Sequence, residues 1–312
     1  MRRFDLQGHR GARGLRPENT LPSFEAAFDA GVTSVETDVR LTRDGVLVLF
    51  HDEAVSGALC RLSHGKRAPD PSTRPLVSSL TRVQLQSYLA DRNPQPNVFA
   101  GQDATIAPLA RLHAQANGVE AYAIPALAEL FSFAAAYAGE LGREAGKTEE
   151  QRAQAAQVRF DLELKRTPFH PEFTGDGFDG DSPGLLEERL LHEVLTAAVI
   201  ERTSVRSFDH RSVRALRQLE PRLTAGVLIA ETAPVSPAAL VQQADAQDYC
   251  PDFRFLDQRI VEQCHAHGVR VLPWTVNEPG DWQRLLDLSV DGITTDYPDR
   301  LAAFLRGEGI AF

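Results

Sequence analysis

Short apolar or β-branched runs alternate along this chain with stretches whose apolar residues recur at helical spacing. Such alternation predicts strand–helix units around a mostly parallel sheet. Strands are predicted near Phe4–His9, Ser34–Val39, Val46–Phe50, Val158–Leu164, Thr203–Phe208, Ala225–Ile229, Val269–Trp274 and Gly292–Thr294. Helices are predicted at Leu21–Ala30, Leu185–Val199, Ser212–Leu219, Pro237–Ala246, Gln258–Ala266 and Trp282–Leu288. Eight strands with helical crossovers fit a closed α/β barrel, the TIM (β/α)8 fold. One joint is unusual: between the second and third strands the chain reads Leu41-Thr-Arg-Asp44-Gly45, a tight turn and not a helix. A doubly wound open sheet is the structural alternative, but no GxGxxG follows the first strand.

The expected organisation is one domain over residues 1–312 with an insertion at about 54–120, after the third strand. That insertion is rich in Pro, Asn, Ser and Gln, with short helices expected at Thr81–Leu89 and Ile106–Asn117. A barrel would carry it over the C-terminal face, where active sites lie. Residues 139–157 are charged and helix-prone, and read as a solvated extension. In the loop 168–184, Gly175-Asp-Gly-Phe-Asp-Gly-Asp181 lacks the spacing of an EF-hand calcium loop and reads as a flexible connection.

Composition narrows the partners. The 312 residues are 43% hydrophobic and 24% charged, as in a globular protein with an ample core. A formal net charge of -10 argues against a broad footprint for nucleic acid or an anionic membrane, so an anionic substrate would need a locally basic pocket. Cys60, Cys250 and Cys264 form neither a disulfide framework nor a zinc pattern, and read as buried thiols in a reducing compartment. No window of 18 apolar residues and no signal-like start is present, so no integral membrane segment is expected. The simplest expected location is the cytoplasm, or the periplasm or exterior if a leader has been removed.

Two strand-like runs carry charges at spacing two: Ser34-Val-Glu36-Thr-Asp38-Val39 and Phe160-Asp-Leu-Glu163-Leu-Lys165. That spacing aims both side chains to one face of a strand. The same pattern occurs on ordinary half-exposed strands. If the two runs share a site, however, Glu36, Asp38 and Glu163 repel pairwise by about 4 kcal/mol at 4 Å and an effective dielectric of 20. A hard divalent cation such as Mg2+ or Ca2+ would answer that repulsion, since zinc prefers His or Cys.

On a barrel, residues at the ends of different strands converge on one mouth. His9-Arg10 ends the first strand, Glu36 and Asp38 the second, His51 the third, Glu163 and Lys165 the fourth, and Trp274 the seventh. This set suits phosphoryl-ester cleavage: a cation as Lewis acid, Arg10 as a bidentate fork, Lys165 as a point charge, and two histidines as base and acid near neutral pH. Glycines around His9-Arg10 would let a ligand approach the backbone. His64, His113, His192, His210, His265 and His267 carry no expected role, while His170 lies on a loop able to reach the mouth.

Gly8-His-Arg-Gly-Ala12, Pro17-Glu-Asn-Thr20, Glu36-Thr-Asp-Val39, Thr42-Arg-Asp-Gly45, His51-Asp52, Glu163-Leu-Lys165, Ser207-Phe-Asp209, Pro273-Trp-Thr-Val-Asn277 and Asp291-Gly-Ile-Thr-Thr-Asp-Tyr-Pro298 together resemble, in that order, the glycerophosphodiester phosphodiesterase family. The resemblance implies a TIM barrel that hydrolyses glycerophosphodiesters to sn-glycerol 3-phosphate and an alcohol. It implies His9 and His51 as the acid/base pair and Glu36, Asp38 and Glu163 as ligands of one divalent cation, Mg2+ or Ca2+. It also implies Arg10 and Lys165 as phosphate contacts, Asn19 as a brace under His9, and Trp274 on the glycerol side. The chain departs from the family after His51-Asp52, where Glu53-Ala-Val-Ser-Gly-Ala-Leu-Cys60 replaces the usual Arg-Thr-Thr-x-Gly run. Two other functions compete: phospholipase D-like cleavage of lysophospholipids or sphingolipids, and a non-catalytic phosphoester-binding barrel.

Overall fold

The computed structural model describes residues 3–65 and 68–312; positions 1–2 of the expected entry to the first strand and 66–67 of the expected insertion lie outside them. Its strands are β1 (Asp5–Gly8), β2 (Ser34–Leu41), β3 (Leu47–Leu49), β4 (Arg61–Leu62), β5 (Tyr88–Leu89), β6 (Arg159–Leu164), β7 (Thr203–Ser207), β8 (Thr224–Ile229), β9 (Asp248–Pro251), β10 (Arg270–Val271) and β11 (Gly292–Thr295). Eight of them form a parallel sheet in the order β10-β9-β8-β7-β6-β2-β1-β11. Backbone bonds draw its two ends together: Asp291 N–H donates to the Val271 carbonyl and Thr294 N–H to the Pro273 carbonyl, both at 3.0 Å. The expected α/β barrel is the observed fold.

Its staves differ from expectation in two places. The Val46–Phe50 run is not a stave: β3 pairs antiparallel with β2, Val39 opposite Leu49 and Leu41 opposite Leu47. A five-residue connection cannot return the chain parallel to itself, because a parallel neighbour needs a crossover of a dozen or more residues. The stave that replaces it is β9, between helices Pro237–Gln243 and Gln258–Ala266. With only four residues, among them Asp248 and Pro251, β9 gives little periodic signal, yet all four are buried.

Helix Leu21–Ala30 shows why the first unit forms where it does. Thr20 caps its start by accepting from Ser23 N–H, and Gly31 ends it in the left-handed conformation at φ 79°. Helices Leu127–Ala138 and Pro298–Gly307 complete the outer layer. Residues 139–157 are more than a solvated extension. They form helices Glu140–Glu144 and Glu149–Ala155, and Lys147 Nζ reaches fully buried Glu25 at 2.6 Å. Glu25 also accepts from Leu109 N–H and Ala110 N–H at 3.0 and 2.8 Å, anchoring the start of helix Pro108–Asn117.

The stretch 54–120 builds a small apolar cluster from Val55, Leu59, Val77, Leu85 and Tyr88 together with Val48 and Phe50 of the β3 segment and Ile124. The helix expected at Thr81–Leu89 is one turn, Arg82–Leu85, and the chain then enters β5, which pairs with β4. Its later part abuts the loops after β1 and β11: Gln102 Nε2 donates to the Arg13 carbonyl, and Phe99 packs on Tyr297 with centroids 6.3 Å apart.

Alternation along the staves sends Leu6, Val35, Phe160, Leu162 and Val205 into the apolar core, each worth about 1.5–3 kcal/mol of burial. The opposite face of β2 and β6 is polar. Barrel interiors are usually filled by Val, Ile and Leu; here Gln7 Nε2 donates to Asp5 and Asp161, and Arg206 donates to Asp161 and Gln7, all of them buried. Among the described residues no helix is long and apolar enough to cross a membrane.

Candidate active site

Strands β2 and β6 are adjacent and parallel, with Asp38 opposite Glu163 and Glu36 opposite Asp161. This register gathers Glu36, Asp38 and Glu163, whose ligand atoms all lie within 4.8 Å of one another. Their relative exposures are 3%, 1% and 9%, so the charges face each other with little water between them. Burial, then Asp38 and Glu163, pushes the Glu36 carboxyl up. Burial would do the same to Asp38, but Arg10, His51 and Lys165, with an Asn19 hydrogen bond, drive it well below the usual carboxylate range. Asp38 Oδ1 is buried without a hydrogen-bond partner. An orphaned carboxylate oxygen in an all-oxygen set fits a hard cation, so this triad could hold a metal ion.

Asn19 braces more than the expected loop. At φ 55° its N–H donates to the Arg10 carbonyl, while Nδ2 donates to Asp38 Oδ2 at 2.8 Å. Its Oδ1 accepts from Thr37 Oγ1 at 2.8 Å. The glycines flanking His9-Arg10 are required by the backbone itself. A Cβ on Gly8 would lie 2.2 Å from the Gly11 carbonyl oxygen, and Gly11, at φ 85°, abuts Ser23 at the start of helix Leu21–Ala30.

His9 Nδ1 lies 2.6 Å from Asp296 Oδ1, and Asn277 Nδ2 donates to Asp296 Oδ2 at 2.7 Å. This chain assigns the proton to Nδ1 and leaves Nε2, 3.9 Å from Glu36 Oε2, as the free nitrogen. Burial, reinforced by Arg10 and Arg13 against the opposing pull of Asp296, lowers the His9 pKa and favours the neutral ring. His51 rises just beyond β3. Its Nδ1 lies 2.8 Å from Asp52 Oδ1, and Arg40 Nε donates to its carbonyl at 2.9 Å. Both rings line one cavity of about 280 Å3, with Arg10, Glu36, Glu163, Lys165 and Trp274.

Arg10 is partly committed to the protein: Nη1 donates to Glu18 Oε1 at 2.7 Å and Nε sits 3.1 Å from Asp38 Oδ2. Lys165 Nζ lies 2.7 Å from Glu163 and 3.5 Å from Asp38. Burial pulls its pKa down, but those two carboxylates outweigh it, raise the pKa and keep the ammonium. Trp274 donates its indole N–H to the Cys250 carbonyl at 2.8 Å and meets the Phe208 ring edge-on, centroids 5.6 Å apart. Leu228 completes this apolar wall.

Sequence reasoning missed Asp296, Asn277, Arg206, Phe208, Arg13 and Glu18. Asp296 and Phe208 each immediately follow a stave, a signal that was available; the His9–Asp296 pairing spans 287 positions and had none. His170 does not line this cavity; it stacks on Phe173 with centroids 5.1 Å apart. Cys60, Cys250 and Cys264 are buried thiols.

The family described as Glycerophosphoryl diester phosphodiesterase matches residues 9–300. A glycerophosphodiester phosphodiesterase of Caldanaerobacter subterraneus subsp. tengcongensis is 27% identical, covering 96% of this chain and 97% of the relative. A crystal structure of the same class from Silicibacter pomeroyi superposes with a TM-score of 0.77 at 28% identity, covering 100% of this chain and 96% of the other. A phosphodiesterase of Oleispira antarctica, described in complex with the product sn-glycerol-3-phosphate, shares the fold at a TM-score of 0.66 and 20% identity, with 96% of each chain covered. On the match over nearly its whole length, the chain belongs to the glycerophosphoryl diester phosphodiesterase family, a class of phosphoric diester hydrolases.

Proposed function

We propose that the chain hydrolyses water-soluble glycerophosphodiesters to sn-glycerol 3-phosphate and an alcohol, with His9 and His51 as the acid/base pair. The observation that carries this reading is the convergence of both histidines, Glu36 and Glu163 on one cavity, with Asp38 grouped beside those two carboxylates. The product bound by the Oleispira antarctica neighbour supports the same substrate class.

Glu36, Asp38 and Glu163 would hold one divalent cation, Mg2+ or Ca2+, on the strength of their all-oxygen donors. When bound, such an ion supplies Lewis-acid polarisation of a non-bridging phosphate oxygen. Lys165 and the uncommitted nitrogen of Arg10 add positive charge to the phosphate as it gains negative charge in the transition state. One histidine takes the proton of the attacking hydroxyl as its oxygen bonds phosphorus; the other protonates the alcohol oxygen as its bond to phosphorus breaks. The attacker is water, or the neighbouring glycerol hydroxyl, which gives a cyclic phosphate that water then opens. Trapping a cyclic glycerol phosphate would select the second route. Asn19 acts on Asp38, and Trp274 with Phe208 offers an apolar face to the glycerol carbons.

The test is a coupled glycerol 3-phosphate release assay across head groups, with EDTA and with restored Mg2+ or Ca2+. Release from glycerophosphocholine, abolished by EDTA and restored by metal, is the expected result. Partly exposed Phe208 beside Trp274 favours one competing reading, cleavage of lysophospholipids. Exclusive turnover of lysophosphatidylcholine would establish that reading instead, and binding of every diester without turnover would establish a phosphoester-binding barrel.

A further inference from the structure

Arg13 is a second guanidinium in the cavity, and a dedicated wall holds it there. It lines the same space as His9 and Arg10, with a side chain only 15% exposed. Its Nε lies 2.8 Å from Glu18 Oε2, while Arg10 Nη1 holds Glu18 Oε1 at 2.7 Å. One carboxylate thus bridges two guanidinium groups. From the 54–120 stretch, Phe99 supplies a buried ring beneath Arg13, with Cζ 4.7 Å from the centroid, and Gln95 Oε1 accepts from Nη2 at 3.4 Å. Gln102 fixes the Arg13 carbonyl at 2.8 Å. Among the described residues, neither Arg13 Nη1 nor Arg10 Nη2 has a hydrogen-bond acceptor.

Arg10 turns its uncommitted nitrogen to the scissile phosphate, which leaves Arg13 Nη1, braced through the shared Glu18, as a donor for a second oxyanion. The scissile phosphate already has Arg10, Lys165 and the carboxylate triad that would hold the cation. Elsewhere in the lining, Phe208, Leu228 and Trp274 build a wall that suits carbon and offers no charge. A ring stacked under Arg13 reduces the conformational freedom lost when that side chain binds an anion.

We infer that Arg13, positioned by Phe99, selects glycerophosphodiesters whose departing alcohol itself carries an anionic group such as a phosphate monoester. The inference rests on the hydrolytic reading given above and assigns the wall of Gln95, Phe99 and Gln102 to the leaving group.

The test compares glycerophosphoinositol with glycerophosphoinositol 4-phosphate, two substrates that differ by one phosphate. The wild-type chain is expected to favour the phosphorylated compound in kcat/KM by at least ten-fold. Arg13→Ala is expected to reduce that preference at least ten-fold, mainly through KM, with Arg13→Lys retaining part of it and Phe99→Leu showing a smaller loss. Equal turnover of both compounds by the wild-type chain, or an equal loss on both in Arg13→Ala, would overturn the assignment while leaving hydrolysis intact. Turnover of no diester would instead remove the hydrolytic reading. Equilibrium binding of the same two compounds, with Mg2+ or Ca2+ present, would then decide the role of Arg13 by the same ratio.

Discussion

Asp296 grips His9 from behind: the 2.6 Å contact between Oδ1 and Nδ1 turns the free Nε2 toward Glu36 and the cavity. The pair joins the end of the last stave to the end of the first, so closure of the barrel sets the orientation of the ring. Asp296→Asn keeps the shape but accepts differently and favours the wrong tautomer. A loss of about 100-fold in kcat is expected, with KM little changed. Steady-state kinetics would check it, and near-normal kcat would remove Asp296 from the mechanism.

His9→Ala and His51→Ala should each lower kcat by about 100- to 10,000-fold while the far-ultraviolet circular dichroism and melting temperature stay close to wild type. Retained turnover in either variant would refute the acid/base assignment.

Crowding among Glu36, Asp38 and Glu163 carries a stability cost that a bound cation relieves. In EDTA, Glu36→Gln should therefore be more stable than the wild-type chain by on the order of 1 kcal/mol. Added Mg2+ or Ca2+ should raise the wild-type melting temperature and leave that of the variant nearly unmoved. A variant that melts lower than wild type in EDTA would contradict this.

Glu193 offers a pH-dependent contribution away from the site. Burial raises its carboxyl to about 7 against the opposing backbone groups of Ala128 and Leu47 and the charge of Arg189, and its Oε2 is buried without a partner. The folded chain then binds this proton more tightly than the unfolded chain. Stability contributed by the protonated group is full below about pH 4.5 and declines as pH rises toward 7. A loss of about 1–2 kcal/mol is expected over that interval once solvent screening is allowed for. Urea unfolding at pH 5 and pH 7.5 should show a slope that Glu193→Gln flattens; an unchanged slope would show the carboxyl to be unimportant.

Glu25 joins three separate segments, because it pairs with Lys147 and accepts from Leu109 and Ala110. Glu25→Ala leaves two buried N–H groups unpaired and the Lys147 ammonium with Asp29 alone, and should cost about 2–3 kcal/mol. Chemical denaturation would measure it, and a change below about 1 kcal/mol would mean that the segments hold together by other contacts.

What could be read before folding was local. The charges two apart in β2 and β6, and His9 and His51 at the ends of apolar runs, announce themselves within six residues. Helices Leu21–Ala30 and Gln258–Ala266 coincide with their expected bounds, since both have a side-chain cap and an amphipathic face. What escaped was either too short or too distant. Stave β9 is four residues long, and the Asp296 and Glu25 contacts span 287 and 84 or more positions. The count of eight staves came out right through two opposite misreadings, β3 counted in and β9 left out.

The antiparallel hairpin of β2 and β3 divides the two histidines between different mechanical frames. His9 is fastened to the closed ring through Asp296, whereas His51 rides at the end of a strand that bonds only to β2 among the staves and leads directly into the 54–120 stretch. Changes at the start of that stretch therefore reach His51 directly, whereas His9 is held by a contact between the first and last staves. The same segment supplies the ring beneath Arg13, so under the proposed roles leaving-group selection and proton delivery would be retuned together while the ring of staves stays as it is.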